Sequence, residues 1–386
     1  MILLIPLVIV LTALVSIVVL AVGYGGKDVF SILVKSLSLL SVLSVVVLSL
    51  TWVERKALAR IQQRIGPMRV GPYGLLQPIA DGLKLLIKED IMPAWVDRPV
   101  YWIAPLAVFV PSFAVWVAMP FSSNLVLRDM DLGLLYVLAM SVLSIIGLIM
   151  AGWGSANKYG IIGGLRSAAQ LISYEIPLIV IAITIAMLAG SLNLTAIATG
   201  QGSTWYLLFQ PLALVIFLLA GLAEVGRSPF DIFQAESELV GGPFIEYSGA
   251  HWSIFFLAEY MNTFLVAALI TIFFLGGWSG PFLPEVAWFF IKCYTVIIVM
   301  FWLRGTLPRL RIDQLMAFGW QGLVPLSFLN FLMVSFALFY GWPDWVQAVL
   351  SLTILVAASV FIYIKTASKK VRPTVRLIPA REVRRA

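Results

Sequence analysis

Apolar runs of about 20 residues, the length a helix needs to cross a hydrocarbon layer about 30 Å thick, recur along the chain and leave no space between them for a soluble domain. They fall near 2–22, 30–53, 98–120, 133–152, 166–190, 205–223, 251–276, 285–303, 319–341 and 345–365. In lipid each backbone polar group must be satisfied within its own segment, so such runs fold as helices. With 61% hydrophobic residues, 12% charged residues and a mean hydropathy of +1.00, the chain reads as an all-α polytopic membrane protein with about nine to ten transmembrane helices. No Lys or Arg precedes the first run and no clear small-residue cleavage site follows it, which favours a span over a signal peptide.

Orientation follows from the cations. If the loops at 54–98, 153–166, 224–250 and 304–318 share one side with the C-terminal tail, that side carries 22 of the 26 Lys and Arg residues. By the positive-inside rule it is the cytoplasm of a bacterium or an equivalent compartment. The tail, SKKVRPTVRLIPAREVRRA, suits anionic headgroups or an acidic partner, with an ordinary stop-transfer flank as the alternative.

One Cys and one His exclude much redox and metal chemistry on this chain. Cys293 has no disulfide partner, and no Cys or His set suffices for an iron–sulfur cluster, zinc or paired haem ligands. His251, beside Trp252 at a span entrance, reads as an interfacial hydrogen-bonding residue. GYGGK at 23–27 lacks the strand and spacing of a nucleotide loop and reads as a turn. No internal repeat is apparent, which weighs against an inverted-repeat transporter.

The working face is the cytoplasmic one. In ERKALARIQQRIGP, Ala57, Leu58, Ile61 and Ile65 recur at helical spacing beside the basic Arg60 and Arg64, and Gly66–Pro67 stop the helix. A second amphipathic helix, QPIADGLKLLIKED, sets Ile79, Leu83, Leu86 and Ile87 against Asp81, Lys84 and Lys88. Gly66, Pro67, Gly71, Pro72 and Gly74 fix the backbone between them, which a flexible lipid anchor would not need. From Glu224 to Glu259 the chain carries Asp231, Glu236, Glu238 and Glu246 on a loop and the adjoining spans. A carboxylate near the bilayer centre costs roughly 2.5–3.5 kcal/mol, so intramembrane carboxylates point to function.

ERKALARIQQRIGP, GPYGLLQPIADGLKLLIKED, AGWGSANKYGIIGGLRSAAQLISYE, SPFDIFQAESELVGGPFIEYSG and LRGTLPRLRIDQLMAFGW resemble, in order, the signatures of one family. It is the quinone-site membrane subunit of proton-pumping NADH:quinone oxidoreductase, respiratory complex I. The resemblance covers about 50–340 and implies a membrane domain over 30–342, an extra apolar segment at 1–29, and an additional span and basic tail at 343–386. It further implies that the cytoplasmic ends of the first family span, near 30–53, and of the sixth, near 251–276, form with the helix at 56–65 a narrow quinone cavity, with Glu54, Arg55, Arg64, Asp81 and Arg304 lining or bordering it. A proton relay through Glu175, Glu224, Glu259, Asp231, Glu236, Glu238 and Glu246 would lead from there into the membrane arm. Buried carboxylates without nearby cations suit proton holding and transfer, and Lys292 is either their partner or a snorkelling lysine. Gln234 stands where the family loop usually has a carboxylate.

The resemblance places the chain in a cell inner membrane, with ubiquinone or menaquinone as substrate and FMN and iron–sulfur clusters on partner subunits. Its partners are other membrane-arm subunits, peripheral quinone-module subunits and lipid, with no nucleic acid. Two alternatives remain at this point: the corresponding subunit of a membrane-bound hydrogenase or formate hydrogenlyase, and a stand-alone ion channel or transporter.

Overall fold

The computed structural model describes residues 29–202, 204–232 and 236–368; the expected span at 2–22, Gln234 and the tail beyond 368 lie outside the described residues. Among the described residues all regular elements are helical. In chain order they include α1 Val29–Ile61, α2 Gln77–Ile87, α3 Arg98–Ala114, α4 Gly133–Gly154, α5 Lys158–Ala189 and α6 Pro211–Glu224. There follow α7 Gly249–Phe274, α8 Glu285–Thr306, α9 Ile312–Phe318, α10 Val324–Phe339 and α11 Asp344–Ser368. Among the described residues seven helical stretches are long and apolar enough to cross a membrane, and Pro211–Glu224 and Asp344–Val360 are shorter apolar helices.

Helix boundaries depart from the apolar runs for local reasons. The amphipathic stretch expected as a separate helix at 56–65 is instead the end of α1, which runs unbroken to Ile61. α5 starts well before its apolar run because Asn157 caps it, accepting from Tyr159 N at 3.0 Å, and it ends at Gly190 with φ +66°. The polar first turns of α5 survive through Gly160, Gly163 and Gly164, which let backbones approach closely. A Cβ on Gly152 of α4 would lie 2.6 Å from Gly160 O.

The run near 205–223 is broken rather than continuous. A short turn at Tyr206–Phe209 is followed by Gln210 at φ −130°, ψ 55°, and α6 starts at Pro211, which has no N–H to continue a helix. At 1.5 Å per residue α6 is about 21 Å long, too short to cross alone. One of its buried N-terminal donors is met from α11, since Leu212 N donates to Ser351 Oγ at 3.1 Å. The run near 319–341 begins earlier, at Ile312, and crosses a π-helical turn at Gly319–Leu323.

α7 is the central post of the bundle, with 72% of its apolar window buried against 28% for α4 and 33% for α1. It packs on α1, α2, α3, α6 and α8. Aromatic contacts fix its rotation: Phe264 stacks on Trp116 at 4.7 Å, and Phe273 meets Phe217 of α6 edge-on at 5.4 Å. Everything below is attached to this helix or to its neighbours.

Candidate functional site

α2 packs on both α1 and α7, so the third wall is α2 and not the stretch at 56–65 expected there. The three enclose an elongated cavity of about 1240 Å³ whose walls include Ser44, Val47 and Thr51 of α1 and Trp252, Phe256 and Leu257 of α7. Its charged lining residues are Arg55, Asp81, Lys84 and Lys88. Arg55 pairs with Asp81, which also accepts from Gln77 Nε2 at 3.2 Å. Tyr247 lines the cavity as well; burial holds its hydroxyl well above the ordinary range, so it is a neutral donor. An apolar cavity with few polar groups fits a long hydrophobic molecule with a polar head.

Adjacent positions on α1 face different environments. Arg55 looks into the cavity, whereas Glu54 is 5% exposed and points into the protein. Glu54 pairs with Arg304 of α8, receives Arg227 Nη1 at 3.3 Å and accepts from Tyr260 Oη at 2.6 Å. Arg227 turns its Nε to Glu259 Oε1 at 3.1 Å and lies 4.5 Å over the Tyr260 ring. Two carboxylates and two guanidiniums thus balance within one buried cluster, the arrangement that makes buried charge tolerable. Glu259 is thus not a carboxylate without a nearby cation, because Arg227 reaches back to it from the loop after α6.

Glu175, roughly midway along α5, and Glu224, the last residue of α6, share an enclosed void of about 30 Å³ with Ser141, Ser144 and Asn262. Ser141 Oγ is 3.4 Å from Glu175 Oε1. Among the described residues neither carboxylate forms an ion pair. The void is large enough for a water molecule and is lined with groups that could bind one. Asn262 lies one helical turn beyond Glu259 on α7, so that helix connects the ion cluster to this void.

The other loop carboxylates have partners elsewhere. Asp231 meets Arg309 at 2.9 Å, Glu238 meets Arg166 at 2.6 Å, and Glu246 accepts from Asn157 Nδ2 at 2.6 Å. They fasten the loop to α5 and to the connection after α8; the side chain of Glu236 lies outside the described residues. Arg64 is exposed, with its Nε donating to Gln62 at 2.7 Å, and is not among the cavity-lining residues. Lys292 donates to the carbonyls of Leu275, Gly277 and Ser279 at 2.5–3.0 Å and lies over Trp205. Its ammonium caps the end of α7 and, among the described residues, is not paired with a carboxylate, which weighs against the relay-partner alternative of the two that the sequence left open.

Sequence reasoning missed Arg227, Tyr260, Ser141 and Asn262. Tyr260 and Asn262 follow Glu259 on a helix already marked by that carboxylate, a signal that polar residues there share its environment. No sequence signal joins Arg227 to Glu54 across 173 positions.

A family model described as NADH dehydrogenase matches residues 34–335. A Dehalococcoides mccartyi protein, named as the H-type subunit of NADH-quinone oxidoreductase, is 48% identical over 304 residues, 79% of this chain and 86% of that protein. Proteins of the same name from Geobacillus kaustophilus and Brevibacillus brevis are 49% and 45% identical, over 73% and 82% of this chain and 86% and 95% of their own lengths. Matches of this extent, covering the cavity, the ion cluster and the Glu175–Glu224 void alike, establish that the chain belongs to the NADH dehydrogenase family.

Proposed function

We propose that the chain is the quinone-site membrane subunit of a proton-translocating NADH:quinone oxidoreductase, receives quinone in the cavity between α1, α2 and α7, and couples its reduction to proton movement through buried carboxylates. The observation that carries this reading is the cavity itself, about 1240 Å³, lined mostly by apolar side chains with Arg55, Asp81, Lys84 and Lys88 as its charged groups. An isoprenoid tail is satisfied by the apolar walls, and the two carbonyl oxygens of the head need donors, which Arg55 and the Tyr247 hydroxyl supply. Partner subunits carrying FMN and iron–sulfur clusters deliver the electrons.

Reduction draws in two electrons and two protons, so charge at the head changes during the cycle. Glu54, next to Arg55 on α1, feels that change first. Its cluster with Arg227, Arg304 and Glu259 can respond by redistributing one guanidinium between two carboxylates. α7 carries both a cavity wall and Glu259, and with Asn262 it reaches the Glu175–Glu224 void, which gives a physical route from quinone to membrane arm. In this reading the charged loops face the cytoplasm of an inner membrane.

The test fills the cavity. Ser44→Trp in the assembled complex is expected to lower NADH:quinone reductase activity by on the order of tenfold while NADH:ferricyanide reduction by the peripheral arm persists. Full quinone activity with the indole in place would overturn the assignment. The names carried by the relatives favour this reading over a hydrogenase-type subunit, and co-purification of NADH- and flavin-binding subunits separates the two.

A further inference from the structure

α2 is the floor of the cavity, yet its apolar face does little to hold it. Ile79, Leu83 and Ile87 on that face are 44%, 45% and 69% exposed. It is fastened instead at its middle and just beyond its C-terminus, to one cavity wall each. Asp81 at its middle pairs with Arg55 of α1. Just past its last turn, Asp90 Oδ2 lies 2.7 Å from Nδ1 of His251 on the first turn of α7.

The second fastening is closely built. His251 is 5% exposed, with Trp102 of α3 edge-on at 4.3 Å and Tyr101 at 5.5 Å. Beside it, Ser248 Oγ accepts from Ile91 N at 2.9 Å and reaches Asp90 Oδ1 at 3.5 Å. At Gly249, φ is +53° and a Cβ would stand 3.1 Å from Lys88 O, so the backbones of the two elements touch there. The cavity is lined at this junction by Lys84 and Lys88 on one side and Ser248 and Trp252 on the other.

We infer that His251, whose Nδ1 lies 2.7 Å from Asp90 Oδ2, is a positioning residue for quinone: it holds the end of α2 against α7 and so sets the width of the cavity between them. The inference rests on reading the cavity as the quinone site. A buried histidine that served folding alone would affect assembly and not the apparent affinity for quinone. A positioning residue leaves assembly intact and moves KM more than kcat, because the head group still meets the same partners once inside.

The experiment uses the assembled complex in membranes, with ferricyanide reduction as the measure of intact peripheral electron transfer. His251→Leu and Asp90→Leu are each expected to raise the KM for a long-tailed quinone by roughly threefold to tenfold, the net worth of a hydrogen bond, with kcat within about twofold. His251→Gln and Asp90→Asn keep a hydrogen bond across the junction and should remain near the parent KM. The double leucine variant should be no worse than either single one. Unchanged KM in both leucine variants, additive effects in the double variant, or failure of both to assemble would overturn the inference. A photoreactive quinone analogue separates it from the underlying reading. Absence of quinone-protectable labelling on the α7 wall in the parent complex overturns the cavity assignment, whereas labelling together with unchanged KM overturns the role of His251 alone.

Discussion

Arg227 Nε lies 3.1 Å from Glu259 Oε1, and the same guanidinium reaches Glu54 at 3.3 Å. One cation therefore serves two carboxylates that come from different helices, and its side chain is only 7% exposed. Removing one member of a buried pair leaves an uncompensated charge, at a cost of about 3–5 kcal/mol.

Arg227→Leu is accordingly expected to lower the yield and melting temperature of the complex, read on native gels and by thermal denaturation. Arg227→Leu combined with Glu259→Gln should recover part of that loss, since Glu54 retains Arg304 and Tyr260. A single variant as stable as the parent would show that the cluster contributes nothing to holding the loop.

The bundle's existence was legible in its apolar runs, but its joints were not. Hydropathy sees where lipid-compatible residues begin, whereas α5 begins at a capping Asn followed by a Gly-rich polar turn. The break before α6 turns on one proline, read only as part of a run. Partners of charges were the least legible: Lys292 proved to cap carbonyls, and Glu259 gained a cation from a loop because folding brings distant segments together. Glu54, Arg55 and Asp81 were marked by resemblance, but that Glu54 and Arg55 face different environments depends on the rotation of α1.

Close backbone contact seats the acidic loop on α5. A Cβ on Gly163 would lie 2.6 Å from Gly242 Cα, and backbone cannot yield as a side chain does. Gly163→Ala should destabilise by roughly 1–3 kcal/mol, seen as a lower melting temperature. Gly82→Ala, where nothing lies within 4 Å of the added carbon, should be neutral or slightly stabilising by its helix propensity. Equal melting of the two variants would contradict the contact.

Orientation can be measured without activity. With Cys293 replaced by Ser, Gln62→Cys should react with an impermeant thiol reagent from the cytoplasmic side and Leu283→Cys from the opposite side. Both native side chains are exposed. The reverse pattern would overturn the positive-inside assignment and move the cavity to the other face of the membrane.

The proposed relay is tested where no ion pair complicates it. Glu175 and Glu224 border one small void with Ser141, Ser144 and Asn262, so replacing either carboxylate by its amide preserves size and hydrogen bonding while removing the exchangeable proton. Glu175→Gln and Glu224→Gln are each expected to assemble normally and to lose coupled quinone reduction and proton translocation by on the order of tenfold or more, the scale of a lost proton-transfer group. Because both lie on one path, the double variant should lose less than the two effects combined. Asn262→Leu, which removes the polar group offered to the void by α7, should slow translocation in the same direction without touching either carboxylate. If the two amide variants reduce quinone and translocate protons like the parent, the void is a packing defect filled by solvent, and the route from the ion cluster must lie elsewhere.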